Sequence, residues 1–400
     1  MDDEMAFDLD RVRAETPGVS SCIHLNNAGA ALMPLPVIQA VKGHIDLEAA
    51  IGGYEAADRE AARLDGVYDS IARLIGADRD EIALAENATV GWDMAFYSLM
   101  FGPGDRILTA QAEYAANYVA YLQVAKRTGA VIEVIPNDAN GVLDPNALEK
   151  MIDERVKLIS ITWIPTNGGL MNPAAEVGQI ARAHDIPYLI DACQAVGQFP
   201  VDVGALGCDM LSATGRKFLR GPRGTGFLYV RRSLLDGLEP PMIDQFAAPW
   251  TAPDGYTLRN DARRFETWEN NYAARLGLGV AADYGLAIGF DVIQVRCFGL
   301  ADALRGYLRE IPGVAIHDLG ERPAALVSFT IDGIESLAIK AHLREKRINV
   351  SVSKPANTLL DSVARQLTPI VRVSPHYYNT EDEIALATGI IGDFAIGKAK

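Results

Sequence analysis

The chain has 400 residues, of which 49% are hydrophobic, 22% charged and 8% aromatic. That is ordinary globular composition, which excludes a disordered or fibrous protein. The 52 acidic against 37 basic residues give a formal charge of -15, a field that repels nucleic-acid phosphates and anionic lipid head groups and so excludes nucleic acid as the expected partner.

Short apolar runs alternate with longer helix-like segments through the first two thirds, the pattern of strand-helix-strand crossovers and a mainly parallel sheet. The predicted strands are 82–85, 106–110, 131–135, 158–163, 187–190 and 226–230, with helical segments such as 92–100, 118–126 and 174–184 between them. Gly102-Pro103-Gly104-Asp105, Pro136-Asn137-Asp138 and Asp185-Ile186-Pro187 punctuate the joins. After Val230 the texture changes: Glu239-Pro240-Pro241 and the Pro-, Ala- and Gly-rich run 248–255 show no clear periodicity, as at a domain boundary. A long helix is then expected from about Tyr272, with helix 304–311, strand 325–331, helix 336–346 and strand 370–374 making an α+β C-terminal lobe.

Met1-Asp2-Asp3-Glu4 lacks the basic start and apolar stretch of a secretory signal, and no apolar run reaches the length of a membrane span. A soluble cytoplasmic protein without a membrane partner is expected. Cys22, Cys193, Cys208 and Cys297 are too scattered for a disulfide framework, and neither they nor the six histidines show zinc-ligand spacing, so no metal is expected.

In an open parallel sheet, ligands gather beyond the carboxyl ends of the strands, so polar residues just after apolar runs are the candidates. Asp191 follows Pro187-Tyr188-Leu189-Ile190, with Gln194 three residues on; the carboxylate can hold a cationic ring nitrogen, or simply cap a helix. Ser212-Ala213-Thr214-Gly215-Arg216-Lys217 offers a lysine for a Schiff base with hydroxyls and a cation for a phosphate. Because Arg220 and Arg223 are close by, it also reads as a solvated basic loop. Glu86-Asn87-Ala88-Thr89-Val90-Gly91 precedes a helix, where free N–H groups and the Thr89 hydroxyl seat an anion, or Thr89 acts only as a cap. Tyr114, in Glu113-Tyr114-Ala115-Ala116-Asn117, can stack on a flat ligand or pack in the core. Arg372 stands between apolar residues in a strand, which is costly unless its planar fork meets a substrate carboxylate or a structural ion-pair partner. Gly221-Pro222-Arg223-Gly224-Thr225-Gly226 precedes a strand rather than linking strand to helix and reads as a turn.

Taken together, His24-Leu25-Asn26-Asn27-Ala28-Gly29, the Thr89 turn, Tyr114, Asn172-Pro173, Asp191-x-x-Gln194, Thr214-Gly215-Arg216-Lys217, Arg263 to Glu266, and Arg372-x-Ser374-x-His376 to Asn379-Thr380 resemble the class V, fold-type I enzymes that use pyridoxal 5'-phosphate. This group contains cysteine desulfurases, selenocysteine lyases and isopenicillin N epimerases. The resemblance implies an α/β fold: a large domain over 23–260 with a mainly parallel seven-stranded sheet between helices, a smaller α+β domain over 261–400, and an N-terminal segment 1–22 packing on the small domain. It also implies that Lys217 is the Schiff-base lysine, that Asp191 keeps the pyridine nitrogen protonated, and that Gln194 bonds the ring hydroxyl. Tyr114 falls where many relatives place a stacking histidine, and Ala88, Thr89, Thr214 and Arg216 occupy phosphate-cradle positions. Arg372 matches the carboxylate-binding arginine, and Asn27 lies on the loop lining the substrate pocket. Family members build each site at a dimer interface, so Trp268 and Glu269 are expected to reach the neighbour's cofactor in a homodimer.

Two departures bear on the reaction. Desulfurases of the family carry a nucleophilic cysteine on a loop before the final arginine, whereas Ser351-Val352-Ser353-Lys354-Pro355-Ala356-Asn357 has none, and Cys193 and Cys297 read as structural. The relatives' asparagine near the ring hydroxyl is replaced by Thr166, with Asn167 adjacent, and either can contact the ring. Ile51-Gly52-Gly53-Tyr54, the run from Arg216 to Gly224, Asn271-x-Ala273-Ala274-Arg275 and Arg372-Val373-Ser374-Pro375-His376 are similar to the hercynylcysteine sulfoxide lyases. The expected activity is β-elimination from a cysteine-derived amino acid. Transamination or epimerisation of a small amino acid is the alternative, and a non-enzymatic cofactor-binding module is a third reading.

Overall fold

The computed structural model describes residues 7–399, so the acidic opening Met1-Asp2-Asp3-Glu4 lies outside them. The chain forms α1 (Leu35–Ile51) and α2 (Ala61–Ile75), then β1 (Ile82–Ala85), α3 (Ala88–Phe96), β2 (Arg106–Thr109), α4 (Ala115–Thr128), β3 (Val131–Val134) and β4 (Val156–Thr162). After α5 (Ala174–Ala183) come β5 (Tyr188–Asp191), β6 (Met210–Thr214) and β7 (Gly226–Val230). These seven strands make one sheet in the order β1-β7-β6-β5-β4-β2-β3. Only β7 runs antiparallel to its neighbours, and the other contacts are parallel.

The central strands are apolar on both faces, with every residue of β2, β5, β6 and β7 buried. This is what a parallel sheet covered by helices on both sides requires. One strand of this sheet was not foreseen: β6 carries Ser212 and Thr214, and its two hydroxyls blunt the apolar signal. Both hydroxyls are satisfied, Ser212 donating to the Ala88 carbonyl (2.8 Å) and Thr214 to the Thr225 carbonyl (3.2 Å).

The rest of the chain contributes α6 (Tyr272–Ile288), α7 (Phe290–Arg309), β8 (Val314–Ile316), β9 (Val327–Ile331), α8 (Ser336–Glu345), β10 (Ser351–Ser353), α9 (Leu359–Ala364), β11 (Ile370–Val373) and α10 (Glu381–Ala399). Helix α6 packs along α1 and α2. Strands β8-β9-β11-β10 form an antiparallel sheet. The helix expected at 304–311 is only the C-terminal end of the 20-residue α7, which begins at Phe290 directly after Gly289, at a φ of 93°, ends α6. The N-terminal segment is tied to this second sheet's lobe: Ile23–His24 pairs in parallel with Ile348–Asn349, and Arg13 reaches Glu383 at 2.9 Å. No single described helix is long and apolar enough to cross a membrane.

Candidate active site

Register places the candidate residues. Thr162, Asp191 and Ser212 are adjacent across the carboxyl ends of β4, β5 and β6. Lys217 lies three residues beyond β6, and Tyr114 caps α4 just beyond β2. Asp191 is 6% exposed and does not cap a helix, because the chain after it turns without forming one. Its Oδ1 accepts from the Cys193 amide at 2.9 Å and its Oδ2 from Asn117 Nδ2 at 3.1 Å.

Lys217 is not part of a solvated loop. It makes no side-chain hydrogen bond or ion pair among the described residues, and burial lowers its pKa, with the charges of Asp191, Cys193, Arg216 and Arg372 all felt at the amine. Of its cationic neighbours only Arg223 is exposed. Arg220, with a positive φ of 62°, is buried beneath Tyr377 and Tyr378 and donates to Thr16, Leu32 and the Tyr377 hydroxyl. Arg216 donates to the Gly29 carbonyl, and burial lowers its pKa.

The α3 N-terminus is capped by Asn87, whose side chain accepts from the Val90 amide at 3.0 Å. Thr89 is therefore not the cap; it is exposed in the first turn, beside the buried Ala88. Tyr114 is 37% exposed, so core packing is not its role. Burial raises its pKa, followed by the negative charge of Asp191, while Arg216 and Arg372 pull the other way.

Arg372 is 5% exposed in β11 and has no carboxylate partner among the described residues. One guanidinium nitrogen donates to the Thr166 carbonyl (3.0 Å) and hydroxyl (2.6 Å), another to Asn26 Oδ1 at 3.5 Å, and Nε has no partner. Burial lowers its pKa to about 10. The same strand register sets Ser351 of β10 directly opposite Arg372.

Two expected contacts are redirected. Asn27 is fully buried and spent internally, donating to the Ser374 carbonyl (2.7 Å) and accepting from the Tyr378 hydroxyl, so its neighbour Asn26 is the one that reaches Arg372. Asn167 donates to Thr358 Oγ1 at 2.7 Å, at the start of α9, so of the adjacent pair it is Thr166 that meets Arg372. Trp268 and Glu269 line an open cleft of about 640 Å³ with Tyr54, Glu48 and Tyr272, and neither is among the groups felt at Lys217.

Glu113 and Asn117, which flank Tyr114 in sequence, also stand at the site, and no motif marks them. Their spacing of four residues, both polar and just past a strand end, was the available signal. Glu113 is buried, accepts from Thr109 Oγ1 (3.0 Å), the Tyr114 amide (2.9 Å), the Thr162 amide (3.0 Å), the Thr162 hydroxyl and Asn117 Nδ2 (2.9 Å), and burial raises its pKa to about 7.

These residues fit a pyridine ring carrying a phosphate. A buried carboxylate faces the sheet mouth, an amine without a partner stands near it, and Gln194 is buried with Oε1 unpartnered while Nε2 donates to the Ala28 carbonyl at 3.2 Å. Buried polar atoms are seldom left orphaned, and a bound ring and carboxylate would give Gln194 Oε1 and Arg372 Nε their missing partners.

Comparison with known proteins agrees with this chemistry. A probable cysteine desulfurase of Methanothermobacter thermautotrophicus is 28% identical over 94% of this chain and 95% of its own length. A probable hercynylcysteine sulfoxide lyase of Mycobacterium tuberculosis is 30% identical over 94% of this chain and 90% of its own length. The apo cysteine desulfurase of Thermococcus onnurineus superposes with a TM-score of 0.90 at 26% identity, over 97% of this chain and 98% of that one. The aminotransferase class-V family matches residues 23–386, and the chain belongs to that family of pyridoxal-phosphate enzymes.

Proposed function

We propose that the chain is a carbon–sulfur lyase that performs β-elimination on a cysteine-derived amino acid, a cysteine S-conjugate or its sulfoxide. The observation that carries this reading is the strand opposite Arg372. Segment 351–357 brings serines, a lysine and an asparagine beside the anchor for a substrate carboxylate, and no thiol to receive sulfur. Cys193, next to Asp191, does not substitute for one, because burial, followed by the Asp191 charge, raises its pKa and keeps it protonated.

Bound pyridoxal phosphate supplies an electron sink for the bond electrons released at the substrate α-carbon. Asp191 would hold the ring nitrogen, Gln194 would meet the ring hydroxyl, and Ala88, Thr89, Thr214 and Arg216 would hold the phosphate. Arg372 grips the substrate α-carboxylate through its planar fork, with Thr166 and Asn26 setting the fork's angle. The Lys217 amine, made more readily neutral by burial, takes the α-proton. The Cβ–S bond then breaks with its electrons leaving on sulfur. Hydrolysis of the remaining three-carbon fragment gives pyruvate and ammonia, so the balance is one water consumed and one sulfur-bearing fragment released. Trp268 and Glu269 lie on an open cleft of their own chain, so their contact with a cofactor belongs to the accompanying proposal that the enzyme works as a homodimer with shared sites.

The test is pyruvate release from S-substituted cysteines and their sulfoxides by the purified holoenzyme, with no keto acid added. Turnover supports the lyase. Activity that appears only when an amino acceptor is supplied overturns it in favour of a transaminase.

A further inference from the structure

We propose that Glu113 and Asn117 are positioning residues for the cofactor's ring nitrogen, acting through Asp191 by fixing which face of the Asn117 amide meets that carboxylate. The proposal rests on the reading that Asp191 holds the ring nitrogen.

An ionised carboxylate only accepts hydrogen bonds, whereas an asparagine amide presents two donors on one side and an acceptor on the other. Asn117 Nδ2 lies 2.9 Å from Glu113 Oε1 and 3.1 Å from Asp191 Oδ2, so each of its two hydrogens serves one carboxylate. Turned the other way above about pH 7, where Glu113 is ionised, the amide oxygen would face two acceptors. Ionised Glu113 therefore excludes the turned amide. It is itself immobile, gripped by donors from the ends of β2 and β4 and from the start of α4.

The consequence falls on Asp191. With the Cys193 amide on Oδ1 and Asn117 on Oδ2, both its oxygens receive hydrogen bonds, and the carboxylate is oriented from two independent segments. A carboxylate held in one orientation is what keeps a hydrogen bond aimed at a pyridine N–H. Glu113 has no cationic partner among the described residues, and a buried carboxylate without one is costly as mere scaffolding. Its service to Asn117 accounts for its presence.

The experiment loads the enzyme with pyridoxal phosphate labelled with 15N in the ring and reads the ring-nitrogen chemical shift at about pH 8. Wild type, Asn117→Ala, Glu113→Gln and Asp191→Asn are compared, with cofactor dissociation constants measured alongside. Asn117→Ala keeps a strong helix former and introduces no new polar group, so it stands if Glu113→Gln fails to fold. The expected result is a shift toward the unprotonated nitrogen in both positioning variants and cofactor affinity weaker by about tenfold, the scale of one hydrogen bond to a charged group. Asp191→Asn should lose the proton altogether. If Asp191→Asn loses it while both other variants keep the wild-type shift and affinity, the positioning role is overturned. If Asp191→Asn itself retains a protonated ring, it is the underlying reading of Asp191 that fails.

Discussion

Arg372→Leu should make the cofactor-free protein more stable and the enzyme much worse. The guanidinium sits in β11 with 5% exposure and no carboxylate partner, and burial brings its pKa from 12.5 to about 10. That depression of about 2.5 units corresponds to roughly 3 kcal/mol charged against the folded state. Because the folded value lies below the unfolded one for a base, the penalty is constant at every pH below about 10 and is relieved only above it. Leucine removes the charge but strands the Thr166 carbonyl and hydroxyl, costing about 1–2 kcal/mol. The net expectation is a gain of about 1–2 kcal/mol, read as a higher urea midpoint at unchanged slope. Against S-substituted cysteines, losing a forked, charge-assisted grip on the α-carboxylate should lower kcat/KM by about 100- to 1000-fold. Stability lost at functional positions and recovered on their removal is a familiar trade. A variant that loses about 3 kcal/mol or more while keeping its kcat/KM would refute the reasoning, because that is how one half of a structural ion pair behaves.

Lys217→Ala should fold, abolish turnover and leave no cofactor fixed to the protein after borohydride reduction, as checked by intact mass; retained turnover would remove the lysine from its role. Glu113 should make stability fall with rising pH, because its folded pKa of about 7 exceeds the ordinary 4.5. Its contribution is complete below about pH 4.5 and is lost as the pH rises through about 7, a change of about 3 kcal/mol. Urea unfolding at about pH 5 and about pH 8 should therefore differ less in Glu113→Gln than in wild type, and equal differences would sink the assignment. Gly197→Ala should destabilise by more than about 3 kcal/mol or prevent folding, since φ is +98° and a Cβ there would collide with the Phe218 and Leu219 backbone. A soluble variant with the wild-type melting temperature would contradict the close approach of the Asp191 turn to the Lys217 turn.

The parts legible in the sequence were those written in local pattern. Strands β1 and β7 were located residue for residue, because apolar runs bounded by polar or glycine residues announce themselves. Strand β6 was not, because Ser212 and Thr214 pair with carbonyls 124 and 11 residues away and only those partners make a buried hydroxyl acceptable. The basic loop misled for a similar reason. Arg216, Lys217, Arg220 and Arg223 look alike in sequence, yet Arg220 is buried by partners up to 204 residues away, and Lys217 is half-buried with the charges of Asp191 and Arg372 felt at its amine. Glu113 was passed over because a carboxylate beside a tyrosine carries no mark of burial until β2, β4 and α4 converge on it.

The two adjacent-residue choices, Asn26 against Asn27 and Thr166 against Asn167, have one physical origin. In both pairs the direction of each side chain is set by distant partners, so a motif that aligns correctly to within one residue still leaves the facing side chain undetermined. At Asn26 a parallel bridge to Ser374 resolves it, turning Asn26 toward Arg372 and Asn27 toward the Tyr378 hydroxyl. At 166–167 the chain turns, and Thr166 accepts from the Arg372 guanidinium while Asn167 donates to Thr358 at the start of α9. One peptide unit after β4 thus ties Arg372 in β11 and the α9 end of the second lobe to the sheet that carries Asp191. On the proposed reading, the distance between a substrate held by Arg372 and a ring held by Asp191 would be set there, and elimination requires that distance to be fixed before the α-proton is taken.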